Sequence, residues 1–414
     1  MSATLLTREG KSRGRLLIVV MLSSSPLMAL IFTSVSPALP AMASYLGGSR
    51  PALLAQLIMM ISSIGIMTGG PAMGFLVDRF GPRQLLLITL LLYGAAGSAG
   101  LYLSNGTAIL VSRFILGVAA SGVAASALTL VGRHFDAAGR ARIVGYQSAC
   151  GATIGLLSTL LSGYAVQENG WRLPFSFYLI SLVVFILAVI VVPGSVDEDA
   201  LSLSQGGNEM GGSTSSAGRR GSLKTLLPLL LGIVPLYAAV FTTSTQVGFL
   251  LRDDGILSSS MQALVIATAP LSNAVGASIY GAMSRHIRIR FQMVISVGLM
   301  AMGHVLLGGL HGLGLATVGC VLAGFGSGLL TPHLIGRVLS QAPENARGRA
   351  TGAMYAAMFL GSFMNPLVIA PVTEWLGVHA AVGIVGCALS LFALIALFEA
   401  CVQRSPQTRA STDG

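Results

Sequence analysis

The chain has 414 residues, 54% of them hydrophobic and only 9% charged, with a formal net charge of +10. A soluble domain carries roughly 25% charged residues, so this composition excludes an ordinary water-soluble fold and places the chain in the membrane class. The positive charge does not point to nucleic acid, because it is spread over separate loops without interleaved aromatic residues.

Polar and basic residues open the chain and lead into an apolar span at about 16–40. No small-residue cleavage site stands out, which predicts an uncleaved first span and not a signal peptide. Gly10-Lys11-Ser12 has the ending of a phosphate loop, but Leu5 stands where the first glycine is required and no strand precedes it. Further spans of the length a bilayer needs, about 20 apolar residues, follow at roughly 52–75, 84–104, 107–132, 141–166, 173–193, 224–250, 259–283, 291–310, 313–339, 348–372 and 378–402. The runs are continuous and do not alternate, so twelve helices are expected and a barrel is not. The 52 glycines suit close helix approach. Cys150, Cys320, Cys387 and Cys401 fall in or at the end of apolar spans and read as small core residues, with no disulfide, metal or cofactor framework.

Between the second and third spans lies Gly74-Phe75-Leu76-Val77-Asp78-Arg79-Phe80-Gly81-Pro82-Arg83. A worn copy, Gly281-Ala282-Met283-Ser284-Arg285-His286-Ile287-Arg288-Ile289-Arg290, follows at a shift of 207 (281 less 74), half the chain. The same shift carries Arg140, Arg142 and Gly145 onto Arg347, Arg349 and Gly352, and Gly117 onto Gly324. One offset in two loops and one apolar span indicates a duplicated half, as in many secondary transporters. The halves are expected at 1–194 and 224–414. Between them, 195–223 holds Asp197-Glu198-Asp199 and a Gly/Ser-rich run ending at Arg219-Arg220, which reads as a flexible linker.

Within the loop, Gly74 is expected where two helices pack closely, and Gly81 permits a tight turn. Asp78 ends the second span at the membrane edge, where an acid is cheap only if paired or facing a positive helix end. The copy has Arg285 there. Arg79 and Arg83 read either as topology signals or as partners, with Arg83 pairing to Asp136 after the fourth span. Arg113 lies six residues into that fourth span, about 9 Å deep at 1.5 Å per residue. An intramembrane arginine costs about 2.5–3.5 kcal/mol unless paired, so it either finds a partner or snorkels outward.

The seventh span carries Tyr237, Phe241, Thr242, Thr243, Ser244, Thr245 and Gln246. Asn273, Tyr355 and Asn365 lie on the eighth and eleventh. Serine and threonine can bond their own helix, so Gln246 and Asn365 are the stronger candidates for binding substrate. Met59, Met60 and Met358 suit an adaptable wall. None of the 14 acids falls mid-span. A proton would then need another carrier, and His333, after Thr331-Pro332 on the tenth span, is the candidate, because an unperturbed imidazole titrates near neutral pH. Placing the N-terminus inside puts most of the 24 Lys and Arg in inner loops and tails, leaving Arg50, Arg172 and Arg252 outside. That asymmetry sets both termini in the cytoplasm. The outer loops are too short for a receptor or catalytic domain.

The Gly74–Arg83 loop followed by an apolar helix resembles the loop signature of the major facilitator superfamily, and Arg113-Phe114-Ile115-Leu116-Gly117 is similar to its second motif. The resemblance implies an all-α membrane protein of twelve transmembrane helices in two pseudo-symmetric six-helix bundles. These would rock about a midplane cavity, with Asp78 latching helix 11 in the outward-facing state and Arg113 handling proton or substrate. It points to the drug:proton antiporter branch. That branch's helix-5 motif, ending in Gly-Pro-x-x-Gly-Gly, is reduced here to Ser158-Thr159-Leu160-Leu161-Ser162-Gly163. The expected protein is not an enzyme and needs no cofactor. It is a monomer of the inner (plasma) membrane that exports a small amphipathic compound against protons. The alternatives are a carrier for an organic anion or sugar-like metabolite, with Arg113 as the charge partner, and a transporter-like sensor.

Overall fold

A computed structural model describes residues 8–192, 226–343 and 346–402. The expected linker lies outside the described residues. Twelve helices are long and apolar enough to cross a membrane: α1 (Gly14–Leu46), α2 (Pro51–Phe80), α3 (Pro82–Leu101), α4 (Gly106–His134), α5 (Arg142–Asn169), α6 (Leu173–Val191), α7 (Leu227–Asp253), α8 (Ser259–His286), α9 (Ile289–Gly309), α10 (Leu313–Gln341), α11 (Arg347–Leu376) and α12 (Val378–Val402). The protein is an all-α, multi-pass membrane protein, as its hydropathy predicts. We call the side where α1 begins and α12 ends the near face. The turns after α1, α3, α5, α7, α9 and α11 form the far face.

Two of the helices are not simple rods. In α1 the helix Ser24–Thr33 gives way to a 3₁₀ turn at Ser36–Ala38 before Leu39–Leu46. Pro37 and Pro40 lack the N–H that a continuous helix would use there. The first part of α6, Leu173–Leu179, is likewise 3₁₀, with Pro174 at its start.

The duplication is visible in the packing. Gly117 on α4 lies against the Ser62 carbonyl and Gly65 on α2, and Gly324 on α10 lies against Ala269 and Ser272 on α8. Gly69 meets Val118 and Ser121; Gly276 meets Phe325 and Gly328. Each contact in the second half is its first-half counterpart shifted by 207 (324 less 117, 269 less 62, 276 less 69). An added Cβ would strike backbone at these crossings, so glycine sets the helix separation.

Buried apolar cores form separately within 20–192 and within 226–393. Phe241, Phe249, Phe359 and Phe363 reach across from the second half onto the first core. Polar bridges join the halves too. Arg50 pairs with Glu374 at 3.2 Å. Arg252 donates to the Pro40 carbonyl at 3.1 Å and to Ser44 at 3.0 Å. The Gln167 side-chain oxygen Oε1 accepts from Ser258 at 2.9 Å and also from Ser260. Deeper in, Ser36 donates to the Ser244 carbonyl at 2.6 Å, Gln56 and Gln246 bond at 3.3 Å, and Ser362 donates to Ser63 at 2.7 Å. All of these lie at the midplane or toward the far face. The molecule is closed at the far face and open at the near face.

On the far face Asp254 follows α7. Burial alone would raise its carboxyl pKa. Hydrogen bonds from His311 and the Gly312 amide, together with the nearby imidazoles, outweigh that and hold it below the usual carboxylate value.

Candidate functional site

Arg113 is fully buried, at 0% exposure. It does not snorkel. Its Nη2 donates to the Tyr178 hydroxyl at 2.8 Å and to the Ile31 carbonyl at 3.3 Å. The guanidinium lies 4.8 Å from the Tyr178 ring centroid and 5.1 Å from that of Phe175. Nε and Nη1 are buried with no hydrogen-bond partner. No carboxylate pairs with Arg113 among the described residues. Cation–π contacts of about 0.5–2 kcal/mol each offset only part of the several kcal/mol that desolvating an ion costs. The site therefore holds a positive charge with two donor groups unused.

The cage depends on the 3₁₀ opening of α6, which turns Phe175 and Tyr178 toward α4. Tyr178 is held in turn by Ser34 at 2.7 Å and the Leu30 carbonyl at 3.1 Å, beside the break in α1. Sequence reasoning missed both aromatics. Their only signal was an aromatic-rich stretch after Trp171-Arg172.

A second group lies along the seam. The rings of Phe32 and Phe241 lie 5.3 Å apart between centroids, tilted by 59°, and Phe359 and Phe363 are partly buried against the same first-half core. Gln246 finds its partner in Gln56, which sequence reasoning also missed. A lone amide within an apolar span was the available signal. Asn365 donates to the Ala238 carbonyl at 2.7 Å and to Thr242 at 3.0 Å, and accepts from Thr245 at 2.7 Å. Tyr237 bonds Thr331 at 2.8 Å. Asn273 donates to Ser327 at 2.8 Å, within the α8–α10 contact. Tyr355 is exposed on the open half of α11, and Met59, Met60 and Met358 are core.

His333 is not brought to this group. It faces α9, 3.4 Å from Gln292 and edge-on to Tyr280. There it lines a near-face cleft of about 230 Å³ with Arg290, Arg337 and Glu399, wholly within the second half. Arg113 and His333 therefore do not form one site.

The loop residues behave differently from expectation. Asp136 does not pair with Arg83. It caps the helix of α5 by accepting from the Gly139 amide at 3.0 Å, while Arg83 donates to the Val189 carbonyl on α6 at 3.3 Å. The cap wins because a helix N-terminus three residues away presents an unsatisfied N–H. Gly74 has open space where close packing was expected: an added Cβ there would meet nothing within 4 Å. Asp78 is exposed and makes no hydrogen bond or ion pair among the described residues. Arg79 lies 5.7 Å from the Phe80 ring centroid. Gly81 has φ +79, the turn geometry expected of it.

The chain is similar to several known proteins. The chain is 32% identical to the niacin transporter NiaP of Acinetobacter baylyi over 118 residues, which is 28% of this chain and 27% of that protein. It is 31% identical to organic anion transporter 3 of Mus musculus over 129 residues, 30% of this chain and 22% of that one. The chain thus spans about a quarter of the length of these relatives. Its fold is similar to the nucleoside transporter NupG, at a TM-score of 0.75 and 12% identity, covering 95% of this chain and 100% of that one. It is also similar to the inward-open xylose transporter XylE of E. coli, at a TM-score of 0.67 and 16% identity, covering 95% and 98%. The family and these relatives are transporters, not enzymes. A sequence profile described as Major Facilitator Superfamily matches residues 21–363 and 229–413, and with the twelve helices and the duplicated crossings in place, this chain belongs to the Major Facilitator Superfamily.

Proposed function

We propose that the chain is a secondary carrier for a small organic anion, with an aromatic carboxylate as its preferred class and Arg113 as the charge partner. The observation that carries this is the buried guanidinium with two unused donor groups and no carboxylate beside it. The partly exposed phenylalanines of the seam suit a planar ring. The niacin and organic-anion relatives support the same class. Proton-driven export of an amphipathic compound is the second reading, and the phenylalanine wall favours it as well. Against it, the helix-5 segment that would carry the exporter motif bonds α1 instead, through Ser158 to Thr33 at 2.6 Å and Ser162 to the Ser34 carbonyl at 2.5 Å. An anion moving down its own gradient needs no proton carrier, so no mid-span acid is needed. In proteoliposomes, flux of a radiolabelled pyridine carboxylate is expected to exceed that of its neutral amide by at least tenfold. Equal flux of the two would overturn the anion reading.

The moving bodies are 1–194 and 224–414, joined through 195–223, and one chain suffices as the transport unit. The charge asymmetry supports a cytoplasmic near face, and the membrane in this reading is the plasma membrane. Asp78 then serves the opposite state, in which the near face closes and the acid meets α11. A cysteine at position 278, in a background without native cysteines, should react with an impermeant maleimide in inverted vesicles and stay unreactive in intact cells. Asp78→Asn should raise its labelling rate several-fold by emptying the near-closed state. Labelling in intact cells would refute the orientation, and an unchanged rate in the Asn variant would refute the latch.

A further inference from the structure

The far-face loops of the second half hold a cluster that the seam does not use. One oxygen of Asp254, Oδ1, takes His311 Nδ1 at 2.5 Å and His379 Nε2 at 3.1 Å. The other oxygen accepts the Gly312 amide at 3.3 Å. The imidazole rings are 4.2 Å apart, and one ligand atom from each of the three side chains lies within 4.8 Å of the others. Around a tetrahedral zinc ion with bonds of about 2.0–2.2 Å, ligand atoms stand roughly 3.3 Å apart. Small side-chain adjustments would convert this cluster into such a shell.

The duplicated first half shows what this corner of the fold requires. By the shift of 207, Arg172 corresponds to His379 (379 less 172) and Ser104 to His311 (311 less 104). The register is fixed by matching left-handed glycines: Gly48 at φ 91 with Gly255 at φ 81, and Gly170 at φ 79 with Gly377 at φ 86. In the first half the Arg172 guanidinium knits the corner. It donates to the Leu101 and Leu103 carbonyls at 3.0 Å each, and to Ser104 and the Tyr45 hydroxyl at 3.1 Å each. The second half lacks that built-in cation. It presents two imidazoles and a carboxylate instead, the donor set that suits a borderline metal. His379 turns Nε2 toward Asp254, and its Nδ1 is buried without a partner. The His311 side chain is 71% exposed, which leaves a fourth position open to water.

We propose that Asp254, His311 and His379 bind one divalent ion of the zinc class, which knits the far-face loops of the second half as Arg172 knits those of the first. When bound, the ion ties the end of α7 to the loop before α10 and to the start of α12. It sits two residues from Arg252, which bridges to α1.

The test uses the purified full chain without a histidine tag, stripped by chelator and titrated with zinc chloride by calorimetry, and with cobalt(II) by absorption. One zinc per chain, a higher melting temperature with zinc and a tetrahedral cobalt spectrum are expected. His379→Ala and Asp254→Asn should each weaken binding by no less than the roughly 10–100-fold that losing an outer-shell partner costs. His134→Ala, on the near face, should bind as the parent does. Absence of saturable zinc binding by the stripped parent chain, or binding that survives both cluster variants, would overturn the proposal.

Discussion

Arg113→Ala is expected to reduce anion flux by at least about 100-fold, a transition-state loss of about 2.7 kcal/mol, while leaving the fold largely intact. The reasoning starts from what the arginine supports. Tyr178, its main partner, keeps its bonds to Ser34 and the Leu30 carbonyl when the guanidinium is removed. Little is therefore orphaned by the truncation, and a costly buried charge is relieved. Stability should fall modestly or rise. Transport has no such substitute, because among the described residues no other cation is buried in the first half's core. Arg113→Lys should recover only part of the flux. An ammonium keeps the charge but loses the planar fork and the stacking on Phe175 and Tyr178. The measurement is initial uptake per folded molecule in proteoliposomes, with melting temperature alongside. If the alanine variant melts far lower and its flux falls only in proportion to folded protein, Arg113 is a packing residue. Near-normal flux would remove it from the site altogether.

Gly117→Val is expected to prevent recovery of folded protein. A Cβ at Gly117 would meet the Ser62 carbonyl and the Gly65 backbone, neither of which can swing aside as a side chain could. Helices α2 and α4 would have to separate along their crossing. Ordinary overpacking costs about 1–3 kcal/mol, and a backbone collision in a long helix pair belongs at or above the top of that range. Against a total stability of about 5–15 kcal/mol, that removes much of the folded population. The duplication supplies an internal replicate: Gly324→Val should fail in the same way against Ala269 on α8. Gly74→Ala and Gly145→Ala, where a Cβ meets nothing, should be recovered at parental yield. Monodisperse yield by fluorescence-detected size exclusion distinguishes these outcomes. A normal profile for Gly117→Val would show that the crossing tolerates separation.

The spans and the duplication were legible because both are one-dimensional signals. Length and hydropathy place helices, and a constant offset from Gly117 to Gly324 needs no third dimension. What failed depended on direction around a helix axis or on competition between partners. His333 was correctly placed on α10, but its direction toward α9 follows from packing that a single sequence does not encode. Arg83 and Asp136 are opposite charges at the ends of neighbouring helices, yet the Gly139 amide is closer and always available. The Phe175–Tyr178 cage required knowing that Pro174 opens α6 as a 3₁₀ turn. Gln56 was legible by the rule already applied to Gln246, that an amide in an apolar span seeks a partner.

The far-face closure also bears on turnover. It is assembled from hydrogen bonds such as Gln56 with Gln246 and Ser63 with Ser362, each worth about 0.5–1.5 kcal/mol net. An exposed Arg50–Glu374 pair adds about 0–1 kcal/mol. None is individually strong, and all are polar groups that water can satisfy once the faces part. Separating them exchanges partners, whereas Phe241, Phe249, Phe359 and Phe363, which reach across onto the first core, give up apolar contact as well. Such a closure can release and re-form on the microsecond-to-millisecond scale of domain rocking. The polar bridges then cost little each to part, and the aromatic contacts between the halves set much of the cost of opening the far face.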